Sequence, residues 1–161
     1  MRTISAFSLV VILFIFTSSC HKANTITLQT GTWIFMDSTF HTVSCAIDSN
    51  ELRAVDTMSI SNPNVNSMLT VGFAGVPPTT GGIYSVVSCI SGSFQLRPGQ
   101  VYVILNVPGA YGLPFISTGT GTVAVTVNNG KLNISGSNIM LSFYDLPSDS
   151  SKISFNITQL P

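Results

Sequence analysis

The chain has 161 residues, six basic and six acidic, so its formal charge is zero and only 7% of it is charged, against about 25% in an ordinary globular domain. Its 22 Ser and 17 Thr carry the polarity instead. No cluster of Lys and Arg is present to neutralise phosphates, which excludes nucleic-acid binding; a 45% hydrophobic content excludes a charge-rich disordered chain; and the length suits one domain.

The first twenty residues read as an address. Arg2 is the positive n-region, and residues 6–16 (AFSLVVILFIF) form an apolar h-region. That run is too short for a membrane-spanning helix of about 20 residues and fits a secretory signal. Thr17-Ser18-Ser19-Cys20 follows. Small residues before a Cys resemble a bacterial lipobox, with Thr17 where Leu is commoner. The resemblance implies removal of residues 1–19 as a lipoprotein signal peptide and a palmitate-type lipid anchor on Cys20. Such an anchor holds the chain to a membrane without crossing it. The alternative is an ordinary signal peptide cut near Ser19, with Cys20 a spare thiol. Residues 20–25 are then the lipidated Cys and a short tether, and 26–161 a single all-β domain. The mature chain carries five cations against six acids, and its length buries about two-thirds of its unfolded surface.

With Cys20 acylated, Cys45 and Cys89 are an even pair in an oxidising compartment, which favours a disulfide. It would close a loop of about 45 residues and stabilise by on the order of 4 kcal/mol. The alternative is two buried free thiols. Two sulfurs with His21 and His41 have no recognised ligand spacing, so neither metal nor cofactor is expected.

The body alternates with a period of two. Leu69, Val71 and Phe73 form one apolar set. Val101, Val103 and Leu105 form the next, followed by Val123, Val125 and Val127, then Ile139, Leu141 and Phe143, and last Ile153, Phe155 and Ile157. Between them stand mainly Ser, Thr, Asn and Tyr, as in half-buried antiparallel strands. Asn128-Asn129-Gly130 is the sharpest turn signal and predicts pairing of 121–127 with 131–136. Further turns are expected at 62–64, 77–82, 97–99, 108–109 and 146–149. These features predict an all-β fold, an antiparallel β-sandwich of about 8–10 short strands, with a small closed β-barrel as the alternative.

The chain also resembles small lipoproteins of unknown function from Bacteroidota-type bacteria. The resemblance rests on the lipobox, the Trp strand Thr32-Trp33-Ile34-Phe35, Gly82-Ile83-Tyr84, the strand from Gly121 to Thr126, Ile134-Ser135-Gly136 and the alternating strand 153–157. The usual aromatic after Ile-Ser-Gly is replaced by Asn138 or Ile139, and the common Gly-x-Phe end is missing. The resemblance implies a β-sandwich and supplies no catalytic residues. Surface-exported lipoproteins of this group carry acids just after the lipidated Cys, whereas His21-Lys22-Ala23-Asn24 has none. This favours the periplasmic face of the outer membrane over the cell surface.

Chemistry is sparse. His41 is the body's single His and, on a continuous strand, would share an apolar face with Val43, Cys45 and Ile47, a structural position. The acids Asp37, Asp48, Glu51, Asp56, Asp145 and Asp149 mostly flank turns, where Asp caps backbone groups. Tyr111 and Phe115, in a Gly/Pro-rich loop, are the candidate ligand or partner contacts; folding back to cap the sandwich is their structural alternative. Trp33 and Tyr84 are expected in the core. Asp37-Ser38-Thr39 and Asp56-Thr57-Met58 resemble O-glycosylation acceptors of the same bacteria, at Ser38 and Thr57. The leading expectation is a non-enzymatic, lipid-anchored envelope module that binds a glycan or an envelope protein. The alternatives are an apolar-molecule carrier, its barrel cavity lined by residues such as Val101, Leu105 and Phe143, and a small hydrolase centred on His41 or an acid pair.

Overall fold

Asn129 and Gly130 take φ of 52° and 75°, the conformation a two-residue hairpin turn requires and these residues tolerate best. Asn128 therefore lies opposite Lys131, and the ladder continues to Val123 opposite Gly136, as the turn signal predicts. Met36 and Asp37 make a second such turn, with φ of 47° and 60°, which places Phe35 opposite Ser38.

The structure, a computed structural model, describes residues 31–56, 66–90, 95–108, 113–144 and 146–160. The expected signal peptide, Cys20 and its tether, Thr57, Tyr111, Asp145 and the 62–64 turn lie outside the described residues. The strands are β1 (Gly31–Phe35), β2 (Ser38–His41), β3 (Ser44–Asp48), β4 (Glu51–Asp56), β5 (Ser67–Phe73), β6 (Gly82–Val86), β7 (Gln100–Asn106), β8 (Phe115–Ser117), β9 (Thr122–Asn128), β10 (Lys131–Phe143) and β11 (Leu146–Thr158). Their hydrogen-bonded order is β2-β1-β11-β10-β9-β6-β7-β5-β4-β3, and β8 bridges β10 and β7. The domain is an all-β sandwich, antiparallel except for β6 and β7, which run parallel at Ser85–Gln100 and Val86–Val101. It differs from the expectation in detail. Eleven strands are present, β10 and β11 have 13 residues each, and the path has two ends, β2 and β3, where a closed barrel has none.

The alternation places the core between the layers. Leu69, Val71, Phe73, Val101, Val103, Leu105, Val123, Val125, Ile139, Leu141, Ile153 and Ile157 are all buried in one cluster. Each buried side chain of this size stabilises by about 1.5–3 kcal/mol. Trp33 is fully buried and stacks on Phe40, ring centroids 5.4 Å apart; Tyr84 is partly buried against the same core. Val101, Leu105 and Phe143, the residues a carrier would need around a cavity, pack in this cluster. After β11 the chain ties both layers: the Leu160 N–H donates to Cys45 O at 3.1 Å and the Gln159 N–H to Leu132 O at 2.8 Å.

Two expectations of register are corrected. His41 is exposed while Thr42 and Cys45 are buried, so His41 does not share a face with Cys45. The strand turns a corner at Thr42–Val43, where Thr42 N–H donates to Gly31 O at 2.9 Å and Val43 N–H to Val55 O at 2.8 Å. The corner passes the chain from β1 as neighbour to β4 and resets the alternation. The turn expected at 146–149 instead lies within β11. Ser142 pairs with Ser150 and Phe143 with Leu146, a slip that leaves 147–149 as a bulge. Pro147, which lacks an N–H, is tolerated there because a bulge needs no ladder bond.

The expected disulfide is also corrected: Cys45 and Cys89 are both free and buried. Cys45 belongs to the main core with Val101 and Val103, whereas Cys89 packs with Tyr102 and Ile116 in a separate cluster. Adjacent residues of β7 point to opposite faces, so the sheet separates the two thiols, and a bridge needs Cα atoms within about 7 Å. Burial pushes the Cys45 thiol up to about 12 and raises that of Cys89, the latter opposed in part by its contact with Ser117. Both are therefore thiols, not reactive thiolates, at neutral pH. Alkylation followed by peptide mass spectrometry should leave both unmodified in the folded chain and modify both after unfolding without reductant. A Cys45–Cys89 linked peptide would contradict this arrangement.

Candidate functional site

Three residues stand in one row across the sheet: Glu51 on β4 lies opposite Gly72 on β5, and Gly72 opposite Tyr102 on β7. Tyr102 lies on the face away from the main core, and a side chain at Gly72 would collide with its ring. Glycine thus lets the phenol cross β5 and donate its O–H to Glu51 Oε1. Glu51 Oε2 accepts from Arg53 Nε at 2.8 Å and Nη2 at 2.6 Å, and Arg53 Nη1 reaches Asp48 Oδ2 at 2.6 Å. Period two places Glu51 and Arg53 on one face of β4, and the hairpin pairs Asp48 with Glu51. In a chain with only six acidic and six basic residues, three of them meet here.

The electrostatics fix the protons of this row. Burial works to raise the Glu51 carboxyl, but the Tyr102 hydroxyl and the Arg53 guanidinium outweigh it and hold the group below its ordinary value. Burial first, then the Glu51 carboxylate, pushes the Tyr102 phenol well above its usual value. Glu51 is ionised and Tyr102 protonated across the neutral range. Glu51, held ionised beside the Arg53 cation, is not the carboxylic acid with a raised pKa that a glycosidase needs.

Beside Tyr102 lies a cleft of about 390 Å³, whose walls include Asn50, Phe73, Gly75, Gln95 and Leu96. Asn50 is fixed by two bonds to one residue: its Nδ2 donates to Phe73 O at 2.8 Å, and its own carbonyl accepts from Phe73 N–H at 2.9 Å.

A second surface stands at one end of the sandwich. Phe35, Phe115 and Phe143 form a buried aromatic row, with Phe35 edge-on to Phe115 at 4.8 Å and Phe115 tilted on Phe143 at 5.3 Å. Directly after the row come exposed apolar residues. Met36 follows Phe35 and is 50% exposed, Tyr144 follows Phe143 at 49%, and Leu146, opposite Phe143, is 55% exposed. Tyr144 N–H donates to Pro114 O at 3.2 Å, which fastens this tip to the segment leading into β8.

The residues singled out from the sequence are spread apart. Phe115 is in the core, 5% exposed, so its ring caps the sandwich. Ser38 is exposed and opens β2 just after the Met36–Asp37 turn. Asp56 is buried and accepts the His41 backbone N–H at 3.1 Å; this bond fixes a strand corner and does not orient the imidazole. Among the described residues no three of His, Cys, Asp and Glu group as metal ligands. The Glu51–Arg53–Tyr102 row and the Tyr144–Leu146 tip escaped the sequence reading. The pattern Glu-x-Arg is a same-face signal on a strand, but the glycine opposite Tyr102 appears only once the register is known. Comparison with protein-family models, with curated proteins and with solved structures finds no match to this chain.

Gly72→Ala should force Tyr102 off Glu51 and destabilise by about 1–3 kcal/mol, read in denaturant unfolding; an unchanged midpoint would mean the ring moves freely. The depressed carboxyl of Glu51 gives a pH signature. A carboxyl lower in the folded than in the unfolded state stabilises above its unfolded value, about 4.3, and that contribution is lost as pH falls through the folded value. The melting temperature of Glu51→Gln should therefore lie below wild type at pH 7 and converge with it in acid. A gap that persists in acid would point to packing instead of charge.

Proposed function

We propose that the protein is a lipid-anchored module of the bacterial cell envelope that binds an envelope protein through the apolar tip formed by Met36, Tyr144 and Leu146. The lipobox-like run ending at Cys20 supports the anchor, and the apolar stretch before it supports export. The observation that carries the binding role is the position of the tip. Gly31, the first residue of β1, lies opposite Ile157, while Phe35 lies opposite Ile153 and Leu146 stands at the far end of β11. The N-terminal side of β1 is thus at one end of that strand, and the exposed apolar residues stand beyond the other. Met36, Tyr144 and Leu146 are three of the seven exposed large hydrophobics among the described residues, and their place beside one aromatic row marks a contact surface.

The missing acid after Cys20 favours the periplasmic leaflet of the outer membrane. There the partner is another envelope protein, and the tip reaches away from the bilayer. Ser38, exposed beside the tip-forming turn, is the position at which a glycan would border the contact.

Photo-crosslinking side chains placed at Tyr144 and Leu146 in intact cells should give one discrete crosslinked product that is absent when the probe is at Thr126. Equal products at all three positions, or none at the tip, would defeat the binding surface. Cys20→Ser should abolish palmitate incorporation, and wild-type chain should resist added protease in intact cells and be digested after lysis. A soluble, unlabelled wild-type chain would remove the anchor from this reading.

A further inference from the structure

We propose that the cleft beside Tyr102 is a binding site for one neutral pyranose residue, either as a free sugar or at the end of a glycan. The cleft lies on the row Glu51–Gly72–Tyr102, away from the apolar tip, and does not depend on the function assigned to that tip. Its volume of about 390 Å³ is at the small end of ligand sites, which run from about 300 to 1,000 Å³. One sugar ring suits that size better than a lipid or a nucleotide.

The lining fits the two surfaces of such a ring. Leu96, half-buried, and the accessible edge of Tyr102 supply carbon for the C–H face, while Asn50 and Gln95 supply carboxamides for hydroxyls. Asn50 is anchored through Nδ2 to Phe73 O, which leaves its Oδ1 an acceptor of fixed position. Gly75 has open space where a side chain would stand, so its backbone borders the cleft unobstructed. These groups sit on or beside β4, β5 and β7, so little order is lost on binding.

Neutrality follows from the charges next door. Arg53 is shared between Glu51 and Asp48 at 2.6 Å each, and Tyr102 stays protonated against Glu51. The guanidinium is already paired with two carboxylates, so its charge is compensated beside the cleft. The one excess negative charge of this trio disfavours acidic sugars.

The test is a titration of the 15N-labelled full chain in detergent micelles with glucose, galactose and N-acetylglucosamine, alongside glucuronate and glucosamine. Neutral sugars should shift the amides of Asn50, Gly75, Gln95 and Tyr102 together. Gln95 is exposed, so Gln95→Ala should keep the fold and weaken binding about 5-fold, the effect of one hydrogen bond; Thr126→Ala should change nothing. Three results would overturn the proposal: no shift with any neutral sugar, tighter binding of either charged sugar, or undiminished affinity in Gln95→Ala. Shifts confined to Met36, Tyr144 and Leu146 would likewise remove the cleft as the site, while leaving the tip as a binding surface.

Discussion

Everything in this domain hangs on packing alternate side chains of two sheet layers against each other. With 7% charge, the chain has little else to stabilise it, and the outward Ser, Thr and Asn must keep it in solution. The inward sets on β5, β7, β9, β10 and β11 meet in one continuous cluster that includes Trp33 and Phe40. Because side chains alternate strictly, a one-residue slip would send a whole set into water. Register is therefore fixed by burial, and the tight turns at Met36–Asp37 and Asn129–Gly130 only have to agree with it.

That same constraint explains what the sequence made legible. Where apolar residues alternate over five or more positions, strand, face and core membership follow from the pattern, and the Asn-Gly turn marks a hairpin without further help. Legibility ends where the backbone departs from a regular ladder. The corner at Thr42–Val43 shifts the alternation between β2 and β3, so His41 lies outside while Cys45 lies inside. The bulge at 147–149 admits a proline into a strand, which local rules read as a turn. Cysteine parity suggested a bridge, but parity is blind to which face of a sheet each thiol occupies.

The sites were less legible than the fold for a related reason. Tyr102 alternates with core valines and reads as an ordinary outward residue, yet it is 8% exposed. Its burial comes from two things the linear sequence does not display. One is Gly72 directly across on β5. The other is a second apolar cluster in which Cys89 and Ile116 join Tyr102, packed against Val87, Leu96 and Ile104. The middle of this layer is thus covered on both faces, which is why β5 carries buried Thr70 and Gly72 among its apolar residues. A polar row on such a strand is held by neighbours on each side, unlike the loop aromatics that composition brings forward.

Rigidity separates the two candidate surfaces and sets what each can recognise. The Glu51–Arg53–Tyr102 row is built on paired strands, with donors and acceptors already bonded to one another, so it frames the adjoining cleft as a fixed shape. The Asn50 carboxamide, held by Phe73, suits a ligand whose hydroxyls have fixed directions. The tip differs: Met36, Tyr144 and Leu146 follow or pair with residues of a buried aromatic row and offer area instead of directed bonds. Area without direction suits a protein surface that can repack, and Met in particular adapts to irregular partners. One domain can thereby hold two contacts of different chemistry without either disturbing the core, because both are mounted on its outside and neither draws a side chain away from the packing between the sheets.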